Sequence, residues 1–151
     1  MTNLPAPRGC LYDHFVDFLD PRRLAPRIAI DGLCGVVARR DLRHAAMIEL
    51  SAIGLRIELP FDREDASRTV QLEIELPGCD EIIWARGHVT FAHLSPMGGL
   101  HHNGQPRLWC RAGIHIAAAA WRDRRMLRDY VIETRRAARA SAARAGAPAP
   151  A

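Results

Sequence analysis

The chain has no lysine, few aromatic residues and no long hydrophobic run. All 21 basic residues are arginine, a bias that usually reflects genomic composition, and with 17 acidic residues the net charge is +4. This charge allows an anionic partner, such as a nucleotide or a membrane surface, without choosing among them. No segment approaches the roughly twenty apolar residues of a membrane span, and residues 1–10 lack the apolar core of a signal sequence. We therefore expect a cytoplasmic protein without a membrane span.

The cysteines and histidines form no recognisable metal or disulfide pattern. The cysteines are Cys10, Cys34, Cys79 and Cys110. They include no Cys-x-x-Cys pair, so neither a zinc ribbon nor a disulfide framework is predicted. His101 and His102 are adjacent in a glycine-rich stretch, which we interpret as a mobile surface loop. Because no catalytic triad, paired-carboxylate motif or phosphate-binding loop is recognised either, we predict neither an enzyme nor a metal site.

Alternation of apolar and polar residues dominates the middle of the chain. In residues 69–76 every second residue is apolar, which predicts a strand with one buried face. In the fifth strand, Phe91 falls on the same face as Ile83. The predicted strands cover residues 28–38, 44–50, 55–59, 69–76, 82–91 and 107–116. Six strands joined by turn-rich segments predict a small antiparallel barrel or sandwich, and we favour the barrel because closure removes exposed edges.

Helical spacing appears on either side of the predicted strands. Residues 11–19 have apolar side chains at helix-like intervals before Asp20-Pro21, which predicts a short helix packed on the domain. A second helix, from about Ala119, is expected to cover the mouth or flank of the barrel. Its shared face comprises Trp121, Leu127, Tyr130, Val131 and Thr134. The predicted organisation is an N-terminal extension (1–20), one mainly β domain (21–135) and a flexible tail of Ala, Arg and Pro (136–151).

Two short motifs accompany the predicted strands. Arg23 and Arg27 are four residues apart directly before the first strand, and Glu49-Leu50-Ser51-Ala52-Ile53-Gly54 lies at a turn between two strands. On a six-stranded β domain with a C-terminal helix, these motifs resemble those of the PilZ domain, a bacterial receptor module for cyclic di-GMP. The family's motifs are R-x-x-x-R and D/N-x-S-x-x-G. The resemblance covers about residues 21–133 and extends to residues 112–116, which are similar to the family's glycine-containing final strand, with Ile116 in place of an aromatic residue.

The resemblance assigns the ligand to the two motifs. It implies that Arg23 and Arg27, with Arg22 as a helper, bind the phosphates and guanines of cyclic di-GMP. Arginine suits both groups because its guanidinium donates paired hydrogen bonds to phosphate and to guanine and also stacks on a purine. Because several arginines hold an anion, binding is expected to weaken as salt rises.

The second motif is assigned to the donor edge of guanine. The resemblance implies that Glu49, Ser51 and Gly54 contribute an acceptor, a hydroxyl and a turn that a side chain would obstruct. Glu49 departs from the family's Asp or Asn because its carboxylate is one methylene, on the order of 1 Å, further from the backbone. Two alternatives stay open: Glu49 reaches the guanine with an altered rotamer, or it pairs with an arginine and closes the site.

These observations support two main hypotheses of function. The first is a PilZ receptor that binds cyclic di-GMP and, through a protein partner, regulates motility, type IV pili or exopolysaccharide, the outputs that the family implies. The second is a degenerate PilZ-like adaptor that does not bind the nucleotide and acts by protein–protein interaction in motility or polarity. A barrel that binds nucleic acid ranks last, because most of the few aromatic residues fall at expected core positions.

Overall fold

The computed structural model describes residues 25–39, 41–63 and 67–146, which form six strands followed by one helix. The elements are β1 (Arg27–Ala38), β2 (Asp41–Ser51), β3 (Gly54–Pro60), β4 (Thr69–Glu75), β5 (Ile82–Leu100), β6 (Pro106–Ala119) and α1 (Trp121–Ala145). The extension predicted at residues 1–20, with its helix at 11–19, lies outside the described residues.

The sheet closes on itself in the strand order β1-β2-β3-β6-β5-β4. Every neighbouring pair is antiparallel, and closure comes from the pairing of β1 with β4, in which Cys34 lies opposite Ile74. The prediction of a six-stranded antiparallel barrel with a C-terminal helix is therefore confirmed. Since β1 and β4 are joined by hydrogen bonds, the barrel and not the sandwich is the architecture.

The buried residues of the core alternate with more exposed residues along the strand, as the sequence predicts. Val70, Leu72 and Ile74 of β4 are buried and point inward, while the residues between them face outward. Helix α1 contributes Leu127 and Val131, of which 0% and 1% are exposed, to the same core. The helix therefore covers the apolar interior, as predicted.

Trp121 does not join this buried face, so its predicted placement is wrong. The side chain is 74% exposed and lies against the Arg125 guanidinium, 5.5 Å from the ring centroid. The reason is helical geometry: at about 100° per residue, Trp121 lies roughly 120° around the axis from Leu127. The helix also runs further than expected, because the alanines and arginines after Arg135 are strong helix formers and continue it to Ala145.

Strands β5 and β6 are longer than predicted. Much of the stretch 95–106, interpreted as a loop, belongs to them, with Pro96 opposite Leu108 and Leu100 opposite Pro106.

A register shift in β5 lies between Val89 and Phe91 and reverses the inward and outward alternation of its side chains. Phe91 is therefore 46% exposed on the outer surface, which corrects its predicted place in the core.

Candidate functional site at the β1–β2 end

The strand register brings the two motifs together. Arg27, the first residue of β1, lies directly opposite Ser51, the last residue of β2. The next pair, Ile28 and Leu50, is buried in the core, so Arg27 and Ser51 lie on the outward-facing side of the sheet, where Ser51 is itself covered. Of the residues predicted for the site, Arg27 and the second motif thus meet at one end of the barrel, while Arg22 and Arg23 lie outside the described residues.

Ser51 and Gly54 close the turn between β2 and β3. The Ser51 hydroxyl donates a hydrogen bond to the Gly54 carbonyl at 3.0 Å and accepts one from the Ile53 amide at 3.3 Å. Its side chain is almost fully buried, and the Ile116 amide of β6 donates to the Ile53 carbonyl at 2.8 Å. The serine therefore fixes the shape of this turn, and the Ile53 carbonyl attaches the turn to β6.

Gly54 is required by a close approach of neighbouring backbone. Its φ is not among the positive values found at four other glycines of the described chain. A Cβ added at position 54 would instead lie 2.5 Å from the Ile114 carbonyl oxygen of β6, closer than real Cβ atoms come to any such atom. The glycine of the motif thus allows β3 to pack against β6, and an unusual backbone angle plays no part.

The Glu49 carboxylate lies between two arginines. Its Oε2 is 3.9 Å from Nη1 of Arg27 and 3.4 Å from Nη1 of Arg56. Arg56 lies directly opposite Glu49 in the β2–β3 register, whereas Arg27 reaches it diagonally from β1. All three side chains are partly exposed, at 35% for Glu49, 44% for Arg27 and 28% for Arg56. The carboxylate is therefore shared, and Arg56 is its nearer partner.

Sequence reasoning missed Arg56, although a signal for it exists. The motif predicts a tight turn between Ser51 and Gly54. Counting back from Ser51 and forward from Gly54 along the hairpin pairs Leu50 with Leu55 and Glu49 with Arg56. Because opposite residues on one face of a hairpin lie about 5 Å apart, the count alone predicts this contact.

An aromatic ring holds Arg56 from the other side. Gly113 of β6 lies opposite Arg56 of β3 and opposite Phe91 of β5, so the three residues form one row across the outer surface. A Cβ on Gly113 would overlap the Phe91 ring, which shows that the ring rests directly on the glycine backbone. There it lies 5.5 Å from the Arg56 guanidinium, a cation–π contact. Through Arg56 and this row, the Glu49 site is therefore in contact with β5.

The buried cysteines, Cys34 and Cys110, have raised thiol pKa values. Burial, assisted by Glu73 and Glu75, raises the pKa of Cys34 to about 12. Burial also raises the pKa of Cys110, whereas the positive charge of Arg43 lowers it by a smaller amount.

In the described part of the chain, no three metal-ligating side chains come together, and His101 and His102 lie exposed at the β5–β6 turn. The helix that the structure describes, α1, lacks the extended apolar stretch of a membrane-spanning segment.

Comparison with known proteins agrees with this architecture. The family model described as the PilZ domain matches residues 21–133. The chain belongs to the PilZ domain family. No curated protein matches it in sequence.

Solved structures with a fold similar to this PilZ domain include the following two. One is the PilZ domain with c-di-GMP of YcgR from Escherichia coli, with a TM-score of 0.59, 15% identity, and coverage of 80% of this chain and 97% of that one. The other is the Bacillus subtilis inhibitor of motility (MotI/DgrA), with a TM-score of 0.57, 17% identity and coverage of 77% of this chain. The match spans 52% of that second chain, about half its length. At such identities the likeness shows a shared fold.

Proposed function

We propose that this PilZ domain is a cytoplasmic receptor for cyclic di-GMP and that it passes the signal to a protein partner. The observation that carries the proposal is the register pairing of Arg27 with Ser51, which joins the arginine motif to the second motif at one end of the barrel. Membership of the PilZ family supports the ligand. The two similar structures, one a PilZ domain with c-di-GMP and one an inhibitor of motility, support a regulatory output in motility. Pili and exopolysaccharide are the other outputs that the family resemblance implies.

The charges of the described site suit an anionic ligand. Arg27 and Arg56 place two guanidinium groups on the outer surface around the single carboxylate of Glu49. Arg22 and Arg23 precede Arg27 in the chain by only five and four residues. In the proposal, Arg22, Arg23 and Arg27 bind the phosphates and stack on the guanines, because a guanidinium can do both.

The second motif provides the other half of the proposed site. The Glu49 carboxylate is partly exposed and can accept hydrogen bonds from the N1 and N2 groups of guanine. Both hydrogen bonds of the Ser51 hydroxyl lie within the turn, so in the proposal Ser51 and Gly54 mainly hold Glu49 in place. Binding would fix Arg22 and Arg23 against the ligand and so change the surface that a partner contacts.

Calorimetric titration with cyclic di-GMP tests the proposal. We expect saturable binding at micromolar concentration that weakens as salt rises. Replacing Arg23 or Arg27 by Ala should reduce affinity by about tenfold or more, since a hydrogen bond to a charged group contributes about 1.5–3 kcal/mol. Arg107→Ala is the matched control, because this exposed arginine lies six residues before Gly113 on β6, roughly 20 Å along the strand. A wild-type protein that shows no saturable binding would refute the receptor proposal.

A second candidate function rests on the position of Glu49. Its carboxylate is within ion-pair distance of Arg27 and Arg56, and such pairing weakens the positive potential that attracts the ligand. This observation favours a PilZ-like adaptor that acts through its protein partner alone. The Glu49→Asp variant separates the two candidates. If carboxylate reach limits a functional receptor, this variant binds cyclic di-GMP more tightly than wild type; if both proteins fail to bind, the adaptor is the better account.

A further inference from the structure

The pair formed by Glu49 and Arg56 points to a role for an arginine outside both family motifs. We infer that Arg56 is a positioning residue: it holds the Glu49 carboxylate towards β3 and thereby keeps Arg27 able to bind the anionic ligand. The inference rests on the proposed cyclic di-GMP site and names a further residue on which its affinity depends.

The geometry around Glu49 favours Arg56 over Arg27 as its partner. Arg56 is directly opposite Glu49 and its Nη1 lies 3.4 Å from the carboxylate, against 3.9 Å for the diagonal Arg27. Arg56 is also the less exposed of the two arginines, at 28% against 44%. An ion pair is stronger where water is partly excluded and the two groups are closer, so both differences act in the same direction.

The Arg56 side chain is held in place by the Phe91 ring, which packs on Gly113. The Phe91 ring faces its guanidinium, and that ring rests on Gly113, whose missing side chain leaves room for it. The register shift in β5 turns Phe91 outward to this position. Because the ring contact already restricts the Arg56 side chain, pairing with a carboxylate costs it little further side-chain entropy. Arg56 is thus a preorganised partner for Glu49.

The length of Glu49 explains why such a partner matters. The longer side chain brings the carboxylate within reach of arginines on two strands, β1 and β3. If the charge of Arg56 is removed, Arg27 is the remaining cation within ion-pair distance of Glu49 in the described part of the chain. The carboxylate would then compete with the ligand phosphates for the Arg27 guanidinium. Arg56 therefore compensates for glutamate at a position where the family has Asp or Asn.

Affinities for cyclic di-GMP of four proteins test this inference. In the wild-type background, Arg56→Gln should weaken binding about two- to fivefold, the range of a partly exposed ion pair. In the Glu49→Gln background, the same substitution should change affinity by less than about twofold, because no carboxylate is left to capture Arg27. The Gln amide keeps an acceptor for guanine, as Asn does in the family motif. A loss that persists undiminished in the Glu49→Gln background would show that Arg56 contacts the ligand directly, which overturns the inference.

The matched control is Arg111→Gln. Arg111 lies opposite Glu58, two residues further along β3 on the same outer surface, and its Nε donates to the Glu58 carboxylate at 2.6 Å. This substitution also removes one positive charge from a cross-strand Glu–Arg pair, but it leaves Glu49 untouched. Affinity equal to wild type is expected. A loss as large as that of Arg56→Gln would mean that net charge alone explains the effect, and the inference would fail.

A measurement without ligand keeps the inference separate from the proposed function. Double-mutant cycles on the urea unfolding midpoint can compare the coupling of Glu49 with Arg56 and of Glu49 with Arg27. A larger coupling with Arg56 supports the positioning of Glu49 by Arg56 even if wild type binds no cyclic di-GMP. That absence of binding would refute the receptor proposal and, with it, the effect of Arg56 on affinity. A coupling with Arg27 that is equal or larger overturns the inference, whatever the ligand does.

Discussion

Alanine substitutions at Gly54 and Gly113 test whether the atoms next to each glycine can move to make room for a Cβ. Gly54 faces the Ile114 carbonyl, which belongs to the backbone of β6, whereas Gly113 faces the ring of Phe91, a half-exposed side chain. The ring would overlap an added Cβ more severely than the carbonyl would. We nevertheless predict that Gly54→Ala destabilises the protein more than Gly113→Ala, because a backbone paired in a closed barrel cannot move aside and an exposed ring can.

The expected magnitudes follow from these contacts. Overpacking against fixed atoms costs about 1–3 kcal/mol, and replacing glycine by alanine returns about 0.4–1 kcal/mol by restricting the unfolded chain. Gly54→Ala should therefore lower the free energy of unfolding by about 1–2 kcal/mol. In Gly113→Ala, Phe91 swings outward and loses its contact with Arg56, worth about 0.5–1 kcal/mol at an exposed site. The lost contact is about as large as the stabilisation gained by restricting the unfolded chain. The free energy of unfolding should therefore stay within about 0.5 kcal/mol of wild type.

Urea unfolding followed by far-ultraviolet circular dichroism measures both variants against wild type. The slope of the free energy with urea should be unchanged, so the shift in midpoint reports stability directly. Gly113→Ala should, in addition, lower the affinity for cyclic di-GMP in the same direction as Arg56→Gln, since Arg56 loses its aromatic support. If Gly113→Ala proves the more destabilising of the two, the distinction between a rigid backbone and a mobile ring is refuted.

Further predictions concern the core and its thiols. Leu127→Ala should cost about 2–5 kcal/mol of unfolding free energy because the side chain is fully buried, whereas Trp121→Ala, at an exposed position, should stay within about 0.5 kcal/mol; urea unfolding compares the two. The pKa of Cys34 is raised by burial from 9.0 to about 12, so the folded state holds this proton more tightly than the unfolded state. Its contribution to stability is full below pH 9.0 and is lost as pH rises towards about 12; unfolding curves across this window should show less decline in Cys34→Ala, and an equal decline would contradict the assignment. Iodoacetamide labelling mapped by mass spectrometry should modify the exposed Cys79 in the native protein and Cys34 only after unfolding.

Most of the strand pattern and half of the site could be predicted from local sequence. Alternation with period two depends only on neighbouring residues, so the residues of β4 alone predict this strand, with Val70 and Leu72 on the buried face. The second motif could be placed at a hairpin turn for the same reason. Counting from that turn pairs Glu49 with Arg56, so even the missed arginine was accessible to sequence reasoning.

The register shift in β5 was not accessible in this way. The run Ile83, Ala85, Gly87, Val89 and Phe91 alternates regularly in the sequence. Only the pairing with β6 shows that Val89 lies opposite Ile114 and Phe91 opposite Gly113, so that two residues advance on one strand for one on the other. Such a bulge is defined by pairing with a neighbouring strand. The sequence of one strand does not show which residues of another strand it pairs with.

Periodicity and short motifs are local properties, so the residues alone predict most of the strands, the covering helix and the presence of both motifs. Which of these elements meet depends on the three-dimensional fold. Closure of the barrel and the β1–β2 register place Arg27 opposite Ser51, and the β3–β6–β5 row supplies Arg56 with its aromatic support. Contacts between strands distant in the chain depend on register, and register is set by the packing of the whole barrel.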